Sequence, residues 1–442
     1  MNLRRNTVYG AIGFAVPTLV LVLAYPVVLR QLGAQAMGLY LLASTVSGSL
    51  AFLEFGVSTA TVKLLAERAA TGDRREAADI VVTSLVFYCA LGAVGLVAFW
   101  GLAPLLGRWA GVGPALEADA VRVLRIAALQ FVPAYAIGVF ASVFKGLHRF
   151  AGATLVASLH STLVWGGAVL GVSMGGLGVV GVAWTTLAAT LAVCGVAGAL
   201  VWRTARETGL DLGRGRPRAS ALRALLRFGL FMAVNGVAGV LMLQVQTWII
   251  AACLGAGAVT VFSTALQVTT KINGLMGAMF EPMMPVAAAL TGRPTREALR
   301  ALRAAYAKAM AASLVLSAGG AAALYVLAPW LMRIWLRSSI DGEVSLIIRI
   351  LCIGLAVNGV TPVAFHLMNG IGRPEINTGF MAAGIVLFYG IVAGFWASGL
   401  TLERFAMALS VTFVLNGVAY LAFSEWMVWR RCLGAPPPAA EG

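Results

Sequence analysis

A lysine lies deep inside one of the long apolar segments of this chain. Lys271 is about 13 residues, or roughly 20 Å, from the outer end of its predicted helix. Asn273 follows two residues later. An ionisable group near the centre of a bilayer costs several kcal/mol, so it is a candidate functional residue. A lysine that snorkels or is salt-bridged for packing is the structural alternative, and the depth argues against snorkelling. The positive charge suits an anionic ligand.

Four other charged side chains are candidates for a role in binding or gating. Glu54, in the inner half of the second predicted helix, could neutralise a basic partner or carry a coupling proton. Glu281, close to two prolines, is interpreted as a helix end or a gate. Arg125 and Arg349 lie near the predicted outer face and could bind an anionic ligand there. Arginines at that depth also snorkel to headgroups, and this alternative stays open.

Uncharged polar side chains within the apolar segments could hydrogen-bond the hydroxyl groups of a substrate or join helices to one another. The candidates for substrate contact are Asn235, Gln246 and Asn358, from a larger set that includes Gln244, Gln267, His366, Asn369 and Asn416. His160 stands alone on an apolar helix and is interpreted as structural. The sequence has no Walker loop, no paired carboxylates on a polar loop and no His/Cys cluster. We therefore expect no enzyme activity, no metal and no cofactor.

The composition requires lipid as the solvent. Hydrophobic residues make up 60% of the chain and charged residues 11%, with a mean hydropathy of +0.90. Soluble domains are nearer one half apolar and one quarter charged. The apolar runs are continuous, which predicts an all-α polytopic membrane protein rather than the short alternating strands of a barrel. The net charge of +15 does not indicate nucleic acid binding, because the arginines cluster at the ends of apolar runs.

Twelve runs are long enough to span a bilayer, which takes about 20 apolar residues. They cover residues 8–29, 38–62, 80–105, 121–144, 151–173, 177–201, 226–251, 259–284, 309–331, 344–369, 376–398 and 403–428. The first run is long for a signal peptide and is interpreted as a retained helix. Roughly three quarters of the 32 Lys and Arg residues fall on one side of these spans, which predicts that both termini are cytoplasmic.

One long polar stretch, Arg203–Arg227, separates the sixth span from the seventh and contains seven arginines. Its composition is typical of a basic, partly disordered loop. We therefore predict four regions: a six-helix bundle over 1–202, a basic cytoplasmic linker over 203–225, a second six-helix bundle over 226–430 and a disordered tail over 431–442. A second charged stretch, 291–308, has arginines at helical spacing and could lie along the inner leaflet or serve only to set topology.

The two halves carry matching patterns. The motif Leu32–Ala36 recurs as Leu254–Ala258, at an offset of 222 residues. Arg125 recurs as Arg349, and the turn that begins at Gly146 recurs at Gly370, both at an offset of 224. With six helices in each half, both copies insert the same way round. Parallel repeats of this kind enclose a central cavity and expose it alternately to the two sides.

These segments resemble a known family. The stretches LRQLGAQAMGLYLL, LAFLEFGVSTATVKLLAE and KGLHRF, together with the segment after residue 226 and the turn NGIGRPEINT, are similar to lipid-linked oligosaccharide flippases. These form the polysaccharide-transporter branch of the multidrug/oligosaccharidyl-lipid/polysaccharide (MOP) superfamily. The chain departs from the pattern at Glu54, where Asp is usual, and at Gln246-Thr247, where many relatives have an Asp-Arg-like pair. Both departures put any ion-coupling role inferred from the family in doubt.

The resemblance implies transport of an undecaprenyl-pyrophosphate-linked glycan, such as an O-antigen repeat unit, from the inner to the outer leaflet of the bacterial cytoplasmic membrane. The implied partners are the lipid-linked glycan and the bilayer, with a glycan polymerase and chain-length proteins as candidates. We expect no nucleic acid partner. We expect the chain to act as a monomer. One alternative is a multidrug or organic-cation antiporter of the same superfamily, which would need a buried acid that the first span lacks. A membrane-embedded glycan polymerase or ligase would need a long outer loop, and none is predicted.

Overall fold

The computed structural model describes residues 3–48, 57–173, 178–227, 241–281, 283–284, 286–287, 295–396 and 398–433. Every regular element in these ranges is a helix. This confirms the prediction of an all-α membrane protein. Two predicted site residues, Glu54 and Asn235, lie outside the described residues, and their roles stay predictions.

The chain forms two compact units, residues Met1–Thr260 and Val261–Gly442. The first contains α1 Leu3–Gly48, α2 Val57–Thr71, α3 Arg74–Trp109, α4 Glu117–Leu129, α5 Phe131–Gly146, α6 Phe150–Ser173, α7 Gly178–Glu207, α8 Gln246–Leu254 and the start of α9 Ala256–Phe280. The second contains the rest of α9, then α10 Arg296–Trp335, α11 Asp341–Asn358, α12 Thr361–Gly370, α13 Pro374–Trp396 and α14 Leu402–Leu433. Helix α8 belongs to the first unit because it packs on α1 and α3. The predicted bundle boundaries at 202 and 226 stay a prediction.

Nine helices within the described residues are long and apolar enough to cross a membrane. They correspond to nine of the twelve predicted spans. The other three predicted spans, 38–62, 226–251 and 259–284, each include residues outside the described ranges. The protein is therefore a multi-pass membrane protein.

Helix boundaries repeat along the chain as the sequence predicts. Helices α4 and α11 begin at residues 117 and 341, α6 and α13 at 150 and 374, and α7 and α14 at 178 and 402, always at an offset of 224. The turns before α6 and α13 are also alike. The Arg149 amide donates to the Phe144 carbonyl at 2.7 Å, and the Arg373 amide donates to the Met368 carbonyl at 2.8 Å. The internal repeat is present in the structure down to the hydrogen bonds of a turn.

The repeated Leu-Gly-Ala motif forms two turns that lie against each other inside the first unit. Gly33 (φ 76°, ψ 169°) and Gly255 (φ 87°, ψ 167°) adopt the same conformation, which favours glycine. The Thr260 hydroxyl donates to the Ala34 carbonyl at 2.6 Å. A Cβ atom on Gly38 would lie 1.8 Å from the Ala256 carbonyl oxygen. The backbones touch directly, so this contact requires a residue without a side chain.

Two predicted spans are broken rather than continuous. The span predicted over 121–144 consists of α4 and α5, which meet at Gln130. The span predicted over 344–369 consists of α11 and α12, and Pro362 lies in the first turn of α12. Proline lacks an amide hydrogen and is accommodated at a helix start, which explains the second break. Broken helices in matching places of the two repeats are typical of transporter binding regions.

Helix α10 begins 13 residues before the predicted span at 309. The Thr295 hydroxyl caps it by accepting from the Ala298 amide at 3.1 Å. Leu302 and Tyr306 are buried in the core of the second unit. At 40 residues the helix is roughly 60 Å long, which exceeds the thickness of a bilayer with its headgroups. The described part of the basic stretch 291–308 is thus the start of a long, packed helix and not a separate helix on the leaflet.

The stretch Arg203–Arg227, expected to be partly disordered, is an ordered segment. Helix α7 continues to Glu207, a short 3-10 turn covers Leu212–Arg214, and residues 219–227 are helical. We call residues 208–218 the linker loop.

The linker loop is held by one buried carboxylate. The Asp79 side chain on α3 is 1% exposed. Its Oδ1 accepts from the Arg216 amide at 2.8 Å, and its Oδ2 lies 2.6 Å from Arg218 Nε. The Arg218 amide donates to the Thr83 hydroxyl at 3.0 Å. The arginine-rich composition predicts a solvated loop. It gives no sign of Asp79, the carboxylate one turn inside α3 that binds the linker loop.

Candidate functional site

Lys271 lies on an exposed stripe of α9. The stripe continues with Leu275 and Met279, which follow at four-residue intervals and are about half exposed. Residues four apart share one face of a helix. Thr269 and Met276 lie on other faces and are buried. The cation is therefore presented outward beside two apolar side chains, where it can meet an external ligand.

Among the described residues, two amide side chains have a buried oxygen atom without a hydrogen bond. Asn273 is half-buried, and its Oδ1 has no partner among the described residues. Gln246 is 1% exposed, and its Oε1 also has none. Gln246 directly follows a π-helical turn, Leu241–Val245, and such turns are frequent at functional sites. Both amides can accept a hydrogen bond from a hydroxyl group or from water.

Arg125 and Arg349 occupy equivalent places in the two repeats. The Arg125 guanidinium lies 5.5 Å from the ring centroid of Trp100 on α3. The Arg349 guanidinium lies 5.3 Å from the ring of Tyr325 on α10, and its Nε donates to the Tyr325 carbonyl at 3.0 Å. Cation–π contacts of this kind stabilise a guanidinium that is partly removed from water. Each arginine is thus held by an aromatic residue of its own unit.

A small cavity of about 190 Å³ lies inside the first unit, where side chains from four helices meet. Its polar lining is Tyr40, Ser44, Gln130, His160 and Thr186. Gln130 lies at the break between α4 and α5, and its Oε1 accepts from the Thr190 hydroxyl at 3.4 Å. His160, interpreted as a lone structural residue, therefore has polar neighbours. No single segment of the sequence signals this cavity, because its members come from α1, α4, α6 and α7.

A second polar cluster joins four helices of the second unit. His366 Nε2 on α12 lies 3.1 Å from the Gly277 carbonyl on α9, so this nitrogen carries the hydrogen. The Asn377 amide on α13 donates to Asn369 Oδ1 at 2.9 Å. The Tyr420 hydroxyl on α14 donates to Asn377 Oδ1. Two roles are predicted for His366 and Asn369: contact with a substrate, or the joining of helices. The contacts described here correspond to the joining of helices.

Asn358 and Glu281 both lie at the ends of helices. Asn358 is the half-buried last residue of α11, and its carbonyl accepts from the Thr361 hydroxyl at 2.8 Å. Glu281 is exposed directly after α9, and its carbonyl accepts from the Met284 amide at 3.1 Å. Among the described residues, no group of three or more His, Cys, Asp or Glu side chains is placed to hold a metal ion.

Comparison with known proteins decides the family. A family model described as "Polysaccharide biosynthesis protein" matches residues 3–291, well over half of the chain. The chain belongs to the polysaccharide biosynthesis protein family. This confirms the resemblance on which the sequence prediction rests.

Relatives of this polysaccharide biosynthesis protein cover nearly its whole length. A Shigella flexneri protein named "Putative O-antigen transporter" is 19% identical over 98% of this chain and 99% of its own. The inward-facing conformation of a MATE family multidrug resistance transporter of the MOP superfamily superposes with a TM-score of 0.82, at 19% identity, over 95% of this chain and 98% of that one. A MOP superfamily transporter from Pyrococcus furiosus has a TM-score of 0.68 at 20% identity, over 97% and 95%. The fold is that of MOP superfamily transporters.

The matched region contains most of the candidate site of this polysaccharide biosynthesis protein. Arg125, Gln246, Lys271 and Asn273 all lie within residues 3–291. Arg349 lies beyond it and corresponds to Arg125 through the internal repeat. Most of the candidate site residues therefore lie in the part of the chain that the family model matches.

Proposed function

We propose that this protein is a flippase that carries an undecaprenyl-pyrophosphate-linked oligosaccharide from the inner to the outer leaflet by alternating access, for the synthesis of cell-surface polysaccharide. Membership of the polysaccharide biosynthesis family supports this, as does similarity along its whole length to the Shigella flexneri protein. The observation that carries the proposal is Lys271, a cation on the exposed stripe of α9.

Lys271 provides what a pyrophosphate needs in order to cross hydrocarbon. A buried phosphate charge without a partner costs far more free energy than a paired one. The ammonium group of lysine carries three hydrogen-bond donors on a flexible stem, so it can follow a moving anion. Asn273 lies two residues away on another face of α9, and its amide oxygen, which has no partner among the described residues, can accept from a sugar hydroxyl. Arg125 and Arg349 are proposed to receive the anion nearer the outer face, with Gln246, Asn358 and Asn235 as further glycan contacts.

The second candidate function is export of organic cations or drugs. The similarity in fold to a multidrug resistance transporter favours it. The charge of Lys271 opposes it, because a cation on the transport path repels a cationic substrate. Glu54 and Glu281 are the carboxylates predicted for coupling or gating, and a cation antiporter would depend on one of them.

Reconstitution of the purified protein into liposomes distinguishes the two functions. We expect a fluorescently labelled undecaprenyl-pyrophosphate oligosaccharide to become accessible to a membrane-impermeant quencher several times faster with the protein than in empty liposomes. A fluorescent organic cation should not accumulate under a proton or sodium gradient. Gradient-driven accumulation of the cation, with no movement of the glycolipid, would show that the protein is an antiporter.

The proposed location is the bacterial cytoplasmic membrane, with both termini in the cytoplasm and the chain acting as a monomer, with a glycan polymerase and chain-length proteins as candidate partners. Reporter fusions test the orientation, since the positive-inside rule assigns each loop to one side. Fusions after Gly213 and Thr295 are expected to report the cytoplasm. Fusions after Gly113 and Asp341 are expected to report the outer side. A reporter on the opposite side at any of the four positions contradicts the predicted arrangement of twelve spans.

A further inference from the structure

A basic cavity of about 620 Å³ lies between the start of α3 and the linker loop. Four arginines line it: Arg74 and Arg75 from α3, and Arg214 and Arg216 from the loop. The one acidic residue in the lining, Asp211, lies 3.3 Å from Arg214. The volume falls in the range of sites that bind small molecules.

Three of these arginines have no carboxylate partner in the part of the chain that the structure describes. The ion pairs of this region join Arg68 to Glu76, Arg214 to Asp211 and Arg218 to Asp79. Within the described residues, Arg74, Arg75 and Arg216 form no ion pair. Like charges around one cavity repel one another unless an anion enters. The cavity therefore has an excess of positive charge that the described carboxylates do not neutralise.

The cavity has fixed walls. Gly209 has a φ of 72°, and a Cβ atom there would lie 2.6 Å from Arg74 Nη1, so the arginine packs directly on the glycine. A Cβ atom on Gly215 would lie 2.9 Å from the Ala78 carbonyl oxygen. The carboxylate of Asp79 holds the loop through the Arg216 amide at 2.8 Å. The loop thus contacts α3 closely, and the backbone that carries Arg214 and Arg216 is positioned before any ligand binds.

Trp202 indicates where the cavity lies relative to the bilayer. It lies on α7, is 45% exposed and stacks with Arg206 at 5.3 Å. A Cβ atom on Gly213, which lines the cavity, would lie 3.6 Å from the Trp202 ring. Exposed tryptophans concentrate at the headgroup level of a bilayer. The candidate membrane spans Arg74–Trp109 and Gly178–Glu207 both end beside this cavity. A ligand drawn from the headgroup layer would be within reach.

We propose that this cavity binds the phosphate of an anionic phospholipid headgroup, such as that of phosphatidylglycerol, from the predicted cytoplasmic leaflet. Guanidinium groups bind phosphate oxygens through pairs of parallel hydrogen bonds, and several arginines can surround one phosphate. Basic pockets between membrane helices on this side are suited to such headgroups. A lipid bound here contacts both α3 and the linker loop, and so stabilises the docked loop.

The test uses the full-length protein purified in an uncharged detergent and titrated with dioleoylphosphatidylglycerol, with the unfolding temperature as the measurement. We expect the lipid to raise the unfolding temperature of the wild-type protein. In the triple variant Arg74→Gln, Arg75→Gln, Arg216→Gln, the apparent affinity should fall about 100-fold, since each basic side chain contributes a factor of about five. The matched control removes two exposed turn arginines, Arg149→Gln and Arg373→Gln, and should change the affinity less than about threefold.

Two further arms identify the source of the phosphate and guard against misfolding. Dioleoylphosphatidylcholine should not protect, because it has no net charge. Sodium pyrophosphate should protect much less than the anionic lipid, and equal protection would overturn the lipid assignment. The corresponding triple lysine variant keeps the charges, so it should retain most of the binding. Equal affinity of the wild-type and triple glutamine variants would overturn the proposal.

Discussion

Replacing Lys271 with methionine is expected to reduce export of the lipid-linked glycan about 10- to 100-fold while the protein still folds and inserts. A hydrogen bond to a charged group contributes about 1.5–3 kcal/mol, which corresponds to that factor in rate. Methionine keeps much of the length of the side chain and removes its charge. Since Lys271 lies on the exposed stripe of α9, the substitution leaves no cavity in the core.

Export should be measured at matched protein levels, in cells or in the liposome assay. Lys271→Arg should restore part of the activity, because arginine stays cationic but has a wider, planar head. Leu275→Met, on the same stripe one turn further along, is the matched control and should export normally. Normal export by the Lys271→Met variant would show that this lysine has a structural role only.

Replacing Gly38 with alanine is expected to destabilise the first unit by about 3 kcal/mol or more, despite the higher helix propensity of alanine. The new Cβ atom would lie 1.8 Å from the Ala256 carbonyl oxygen. That oxygen belongs to the backbone, so no change of rotamer relieves the overlap. The Ala256 amide is also bonded to the Gly111 carbonyl at 3.1 Å, which limits retreat of the turn.

The measurement is the unfolding temperature of purified Gly38→Ala in detergent, together with its yield in the membrane. Gly101→Ala on α3 is the control, because no atom lies within 4 Å of its added Cβ. That control should be neutral or slightly stabilised, since alanine is favoured in a helix interior by about 0.8–1.0 kcal/mol. Equal unfolding temperatures for the two variants would mean that the turns do not touch.

The class of the fold and its internal repeat follow from the sequence because both depend on local patterns. Long apolar runs require helices in lipid whatever their neighbours are. The offsets of 222 and 224 between motifs reappear in the glycine turns and in the starts of three pairs of helices. The break between α4 and α5 at Gln130 cannot be predicted from the sequence, because the hydropathy is continuous across it. The early start of α10 was missed for the opposite reason: its first turns are charged, yet Leu302 and Tyr306 pack into the core.

The sequence predicts individual residues of the candidate site, but it does not predict their neighbours in the fold. A lysine inside an apolar run is visible in the sequence, and the structure adds that Lys271 lies on an exposed face. The neighbours of His160 could not be predicted, because they lie on three other helices. Asp79 is the clearest case. In the sequence it is one of several charges near a helix start, whereas in the fold it is buried and binds a loop more than 130 residues away.

The docked loop has a consequence for how the chain folds during synthesis. Chains fold from the N-terminus as they emerge, at about 5–20 residues per second. Helices α3 to α7 are complete before the ribosome reaches Arg218, so the carboxylate of Asp79 is already in place when its partner is synthesised. The two ends of a free loop of this length would be roughly 20 Å apart on average, in no fixed direction. A docked loop instead gives the later helices a fixed point from which to enter the membrane.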